Sequence, residues 1–522
     1  MRVQIGLLGA AAVGGLALGL ACAGNSSFTC ASDLDCSGGV CAGEHCAFPD
    51  DTCESNLRYG DFAGPLAGLC VLPEDATGGP STATGNDTAT STSAGDATDT
   101  GPVVDDTATD GGPQISTLFV DDDAGDFGGG TMDGVVYADG KLRLAEPGTA
   151  GTFTSRVFDA GGDVQWLDLS WLPDAPYAKA LLDAGGLESG YDALAVSMDG
   201  NMLLLHFDET TPLGPDAMVG DASGHGNDGV ITGTAAAATT AGVFAGAIDD
   251  PVDSYVAIST ASGDFDFDTA DFTWSLWFRI SHDCATNNVF MGVEEVIGGN
   301  DLQEHLWMGC SDDAWSECPR TEDGVPHTGG VLRSQQGNTD EGVFFCGPDG
   351  IGDGQWHHMA VVKQGHESAT VTHWVDGALV SEISGTFAQP ILLQMARDFA
   401  VGGFSDATYP TSGELDDVAI WTRALTEDEL LGLYTRGASR VGLEVRVCTQ
   451  ADCADDPPFR GGPDLISGEL FTDPANATSP GSAVDVSALN PGRWVQYRVR
   501  LEATATSRPP AITFVQISGE VG

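Results

Sequence analysis

The stretch Asp271–Ile280, DFTWSLWFRI, decides the fold. Phe272, Trp274, Leu276, Phe278 and Ile280 alternate with Thr273, Ser275, Trp277 and Arg279. A period of two suits a strand with one buried face and does not suit a helix. Two further strand candidates follow, WHHMAVVKQ (Trp356–Gln364) and ATVTHWVDGALVSEI (Ala369–Ile383). In the second, Asp376-Gly377 signals a type I′ hairpin, whose two central residues both need positive φ. One helix stands out in LTEDELLGLYTRG (Leu425–Gly437). Thr426 and Glu429 have capping-box spacing, Leu430, Leu433 and Tyr434 share a face, and Gly437 reads as the C-terminal stop. Residues 202–437 therefore read as a β-sandwich with one short helix.

The flanks read as strands too. Residues 115–201 hold LFVDDDAGDFGGGTMDGVVYADGKLRLA and GTFTSRVFDAGGDVQWLDLSW, and residues 438–522 hold VGLEVRVC and GRWVQYRVRLEATATSRPPAITFVQISG. Neither piece alone is long enough for a sandwich with a complete core. Together they resemble one β-sandwich of a kind that recurs in bacterial surface proteins, with 202–437 inserted into it. Two separate small domains are the alternative. DDDAGD (Asp121–Asp126) is no EF-hand, since Gly125 stands at the fifth ligand position and Met132 at the twelfth.

Upstream, Arg2 and the apolar IGLLGAAAVGGLALGLA read as an export signal over residues 1–22. Gly19-Leu20-Ala21-Cys22 resembles a bacterial lipobox with glycine in place of the usual leucine, which would make Cys22 the lipidated residue. Ala21-Cys22-Ala23 also fits ordinary secretion. The expected location is the outer membrane or cell surface through a lipid anchor, or alternatively the medium. Setting Cys22 aside, 12 of the 13 cysteines remain. They form three even groups: Cys30, Cys36, Cys41, Cys46, Cys53 and Cys70; Cys284, Cys310, Cys318 and Cys346; Cys448 and Cys453. Even local groups fit disulfides made outside the cytoplasm, and the first group lacks the paired CxxC knuckles of a zinc site. Residues 23–74 thus form a small stapled module. Residues 75–114, almost without large apolar side chains, read as a disordered stalk.

Lys+Arg 20 against Asp+Glu 77 gives a net charge of −57. Such a surface repels phosphate backbones, which excludes nucleic acid as a partner and favours cations.

LLLHFDE (Leu203–Glu209), DASGHGNDG (Asp221–Gly229), FTWSLWFR, VDGALV and GELDDVAIWTRALTEDELLGLY stand in this order along the chain. They resemble successive signatures of the laminin-G-like, concanavalin A-like jelly rolls. The fold class expected is all-β: a jelly roll inserted in a second β-sandwich, preceded by a disulfide-rich module and a stalk. The resemblance implies a module that binds glycans or an extracellular protein, often with a structural Ca²⁺. On that basis Asp221 and Asn227, with Asp208 and Asp416 or Asp417, are the expected calcium ligands.

Chemistry has two tempting sites. Asp221, Ser223 and His225 look like a triad but share one glycine-rich loop, whereas a triad converges from separate elements. In GELDDVAIW, Glu414 and Asp416 match the first half of the E-x-D-x-x-E or E-x-D-x-E motif of concanavalin-like glycosidases, while Val418 and Ala419 occupy the two possible places of the third carboxylate. Binding without catalysis is therefore expected; an unusual polysaccharide hydrolase and a structural spacer are the alternatives. Between Cys284 and Gly324, Trp307 and Trp315 are candidate sugar-stacking residues, with Asn300, Asp301 and Glu304 as hydroxyl acceptors. A disulfide-tied core is the other reading of those tryptophans. His357 and His358, adjacent on a strand, point to opposite faces and share no site.

Overall fold

The computed structural model describes residues 40–42, 45–49, 57–59 and 71, and then 115–521. In the second span the interruptions are 147–149, 210–212, 234–237, 240, 251–253, 282–283, 285–286, 297–301, 312–326, 337–341, 388, 394–396, 475–476, 479, 481–482 and 505. The signal, Cys22 and the stalk lie outside the described residues. The chain divides into two units, Met1–Ala108 and Thr109–Gly522. In the first, Val40–Ala42, His45–Pro49 and Leu57–Tyr59 form a three-stranded sheet.

In the second unit two eight-stranded sheets build the jelly roll. The first places Phe272–Arg279 between Gly413–Trp421 and Trp356–Gln364, with Ile248–Asp250 and Ala369–Val375 beyond them. The second is built around Ser254–Ile258, Phe399–Val401, Asn287–Val296, Leu302–Ser311 and His327–Gln336. Phe272, Trp274, Leu276, Phe278 and Ile280 all lie in the core between the sheets, none more than 1% exposed. Burying each such side chain stabilises the fold by roughly 1.5–3 kcal/mol. The strand's other face is not open to solvent, because Thr273, Ser275 and Trp277 are buried as well. A second core of Leu181, Leu182, Val196, Trp421, Leu430 and Leu433 covers that side of the sheet.

Part of that cover is the helix Glu427–Ala438. Its capping box forms as read: Glu429 N donates to Thr426 Oγ1 at 3.3 Å, and Thr426 N donates to the Glu429 carboxylate at 2.9 Å. Gly437 is not the stop, since the helix runs to Ala438 and Ser439 caps it. The glycine instead lets the helix approach Trp277. Asp376 and Gly377 have φ of +50° and +72°, the signs a type I′ turn requires.

Strands from both flanks interleave in one 12-stranded sheet. Phe158–Pro173 pairs with Gly492–Ala503 and Ala511–Val521, and Ile115–Asp121 pairs with Ala511–Val521. This sheet encloses its own core around Phe153, Trp166, Trp171, Leu443 and Tyr497. Where the chain passes between the two sandwiches, charges are buried. Arg436 donates to Glu188 at 2.7 Å, and Lys179 donates to Tyr191 at 2.8 Å beside Asp473. Breaking such a pair leaves one charge uncompensated and costs about 3–5 kcal/mol. Disulfides join Cys284 to Cys310 and Cys448 to Cys453, and Cys346 is also oxidised. Cys30, Cys36, Cys53, Cys70 and Cys318 lie outside the described residues.

Candidate functional site

The loop after Gly220 is held by one carboxylate. Asp221 Oδ1 accepts from Leu204 N at 3.0 Å and Ser223 N at 2.9 Å. Its Oδ2 accepts from Ser223 Oγ at 2.8 Å and Asn227 N at 2.9 Å. Asn227 in turn donates Nδ2 to Met202 O at 2.9 Å. Gly224 and Gly226, at φ +86° and +78°, supply the left-handed turns. Ser223 thus donates to Asp221 rather than to His225, and the loop is a polar turn stapled to the Asn201–Leu205 strand.

Asp208, Asp416 and Asp417 belong to a different cluster. A bulge opposite Leu276 gives Asp417 a φ of +47° and turns both aspartates away from the core, while Leu415 and Val418 stay in it. Asp416 Oδ2 accepts from Val243 N at 2.7 Å and Phe244 N at 3.0 Å, and Asp208 Oδ1 accepts from Gly246 N at 2.6 Å. Asp417 holds His206 Nδ1, and the other ring nitrogen meets Asp183 Oδ1 at 3.1 Å. Burial disfavours the His206 charge, but Asp417, Asp183 and Asp208 outweigh it and raise the pKa to about 9. Burial, with the Asp417 charge, pushes Asp416 well above the carboxylate range.

The five expected calcium ligands therefore fall into two groups, Asp221 with Asn227 in the loop and Asp208 with Asp416 and Asp417 beside His206. Asp221 spends both oxygens on four protein donors, and imidazolium already balances Asp417. Asp416 Oδ1 is buried with no hydrogen-bond partner among the described residues, beside Asp208 and Asp417. Among the described residues, the carboxylates that lie mutually within 4.8 Å are those of Asp122, Asp123 and Asp126 on the flanking sandwich. There Asp123 caps a short helix and Asp126 pairs with Arg156.

Glu414 and Asp416 are parted as well. Arg279 grips both oxygens of Glu414 through Nε and Nη2, and its guanidinium lies 4.9 Å from the Trp356 ring centre. Asp416 is sealed beneath the 243–244 amides, and Val418 and Ala419 are fully buried.

The outer face of the second sheet carries the candidate binding surface. Trp307 is only 2% exposed, packed among Val289, Val331 and Phe404, so it is no open stacking platform. Its Nε1 donates to His305 Nε2 at 2.8 Å, which places the imidazole proton on Nδ1, 3.4 Å from Glu294 Oε1. That contact holds the Glu294 carboxyl below its usual range. The loop Phe404–Tyr409 folds over this face: Phe404 covers Trp307, and Tyr409, 44% exposed, meets Phe404 edge-on at 6.1 Å. Arg397 and Asp406 form an ion pair beside it. Asn300, Asp301 and Trp315 lie outside the described residues, as does the side chain of Glu304. Sequence reasoning missed Tyr409, whose only signal is the turn-rich FSDATYPTSG just before the last jelly-roll strand.

His357 and His358 diverge as expected. His357 lies between Asp376 and Asp353 at 2.8 and 3.2 Å, whereas His358 is buried against Trp277 and shares a 2.9 Å hydrogen bond with Ser275.

Residues 250–431 match the Laminin_G_3 family, described as the concanavalin A-like lectin/glucanases superfamily. No curated protein matches the chain. Among solved structures, the chain is similar to domain 4 of AbnA, a GH43 extracellular arabinanase from Geobacillus stearothermophilus in complex with arabinotriose. Identity is 17%, coverage is 45% of this chain and 98% of that one, and the TM-score is 0.31. It is also similar to the binding domain of Paraclostridial Mosquitocidal Protein 1, at 12% identity, 50% and 63% coverage and TM-score 0.31. The binding domain of Botulinum neurotoxin DC in complex with rat synaptotagmin II matches at 12% identity, 48% and 58% coverage and TM-score 0.30. The chain thus spans about three fifths of the toxin domains it matches.

Proposed function

We propose that this chain is an exported, non-catalytic binding protein whose jelly roll recognises a glycan. The observation that carries the reading is the exposed Tyr409 ring, set among the Glu294–His305 and Arg397–Asp406 pairs. An aromatic face with fixed charged donors and acceptors around it suits a sugar ring, which offers an apolar C–H face and a rim of hydroxyls. The packing of Phe404 on Trp307 and the relay to His305 and Glu294 hold these groups in place before any ligand arrives, which limits the ordering cost of binding. Hydrolysis is disfavoured because Arg279 neutralises Glu414 and Asp416 is sealed from solvent.

The test is a glycan-binding screen of the full chain, repeated with Tyr409→Ala. A defined glycan bound by the parent and held at least about tenfold more weakly by the variant supports the reading. Silence toward all glycans, with capture of a protein partner instead, would contradict it.

A further inference from the structure

Four neighbouring strands of the first sheet place Asp249, Glu414, Arg279 and Trp356 in one register row. The row ends beside a solvent-open recess of about 480 Å³, lined by Asp249, Arg279, Glu414, Ser281, Ser412 and Gly413. Its charges are unequal. Glu414 is matched by Arg279, which is itself laid over the Trp356 ring. The Asp249 carboxylate makes no hydrogen bond or ion pair among the described residues. Among the described residues lining it, the recess therefore holds one carboxylate more than its cations balance. Burial and the adjacent Glu414 charge both push the Asp249 carboxyl above its usual range.

We infer that this recess is a second saccharide subsite, which takes the protonated amino group of an amino sugar at Asp249, beside the Arg279–Glu414 pair. A divalent metal suits the place less well, because Arg279 occupies both Glu414 oxygens and leaves Asp249 as the one carboxylate ligand among the described lining residues. The volume lies within the roughly 300–1,000 Å³ of small-molecule sites, more than a lone ammonium head needs and enough for a sugar ring. Ser281 and Ser412 supply neutral donors and acceptors for ring hydroxyls. The strand framework holds Glu414 and Arg279 in place, so binding needs little reorganisation. The inference rests on the reading of this domain as a glycan binder, but not on Tyr409, which lies on the other sheet's outer face.

The test measures binding of a glucosamine trisaccharide with free amines, and of its N-acetylated counterpart, to the full chain by calorimetry. The buffer holds about 0.15 M salt, so that the bulk negative charge is screened. Variants are Asp249→Asn, Tyr409→Ala and Asp216→Asn, the last an exposed acid elsewhere. The expected result is a loss of at least about tenfold in Asp249→Asn, the worth of one charge-assisted hydrogen bond, with Asp216→Asn unchanged and the acetylated sugar weaker. Equal losses in Asp249→Asn and Asp216→Asn would reveal bulk attraction and overturn the subsite. So would equal binding of the acetylated sugar, loss in Tyr409→Ala alone, or no binding. Each of these leaves the Tyr409 face open to its own screen, so the two readings fail separately.

Discussion

Gly437 sits so close beneath Trp277 that a Cβ at position 437 would come within 2.1 Å of the indole Cζ2. The indole is itself confined by Tyr434 at 5.8 Å and Phe244 at 6.4 Å. In an ordinary helix Gly→Ala gains about 1 kcal/mol. Here overpacking, typically 1–3 kcal/mol, outweighs that gain. Gly437→Ala is therefore expected to lower stability, by up to about 2 kcal/mol. Urea unfolding checks it, and a stabilised variant would show that the helix does not press on this sheet.

Asp221→Ala removes the acceptor of four hydrogen bonds. The stranded amides and hydroxyl make a loss of about 2–4 kcal/mol the expected outcome. Asp221→Asn keeps only part of the accepting capacity and should fall between. Because the carboxylate is spent on protein donors, EDTA should leave the melting temperature of the parent where calcium leaves it. A calcium-dependent rise in melting temperature that Asp221→Asn abolishes would restore the metal reading.

Histidines with shifted pKa contribute pH dependences of opposite sign to stability. Burial lowers His358 to about 4 and His373 to about 3, so below about 6.5 the unfolded chain binds protons that the folded chain refuses. Stability then falls with pH, by up to about 1.4 kcal/mol per pH unit for each histidine. His206 acts with the opposite sign. Its folded pKa of about 9 gives stability that is full below 6.5 and is lost as pH rises through 9. His206→Gln should flatten the alkaline limb alone in a series of unfolding curves; an unchanged limb would refute the Asp417–His206–Asp183 pairing.

The core was legible because Phe272 to Ile280 keep a strict period of two, and the helix because Thr426 and Glu429 carry its cap. What covers the outer face of that strand was not legible. Only the tryptophan at position 277, among polar alternates, hinted that this face is dry as well. The bulge at Asp417 shifts the alternation by one residue within a run of buried residues, so spacing alone could not show that Asp416 and Asp417 both turn away from the core. Trp307 read as core ahead of platform, and Phe404, about a hundred residues later, packs over it in that core. A contact made across that distance leaves no periodicity to read.

Glu414→Gln tests the absence of catalysis from the other side. It breaks the bidentate pair with Arg279, so a modest loss of stability is expected and no change in polysaccharide turnover, which should stay at background in the parent. Hydrolysis by the parent that this variant abolishes would make Glu414 a catalytic residue.

The most direct measurement of the central claim is glycan binding by the parent and by Tyr409→Ala, with both melting curves recorded alongside. The account predicts a defined glycan, affinity lower by at least about tenfold in the variant, and coincident melting curves for two proteins that differ only at an exposed ring. Equal affinity in the two proteins would contradict it and move the binding face away from the second sheet.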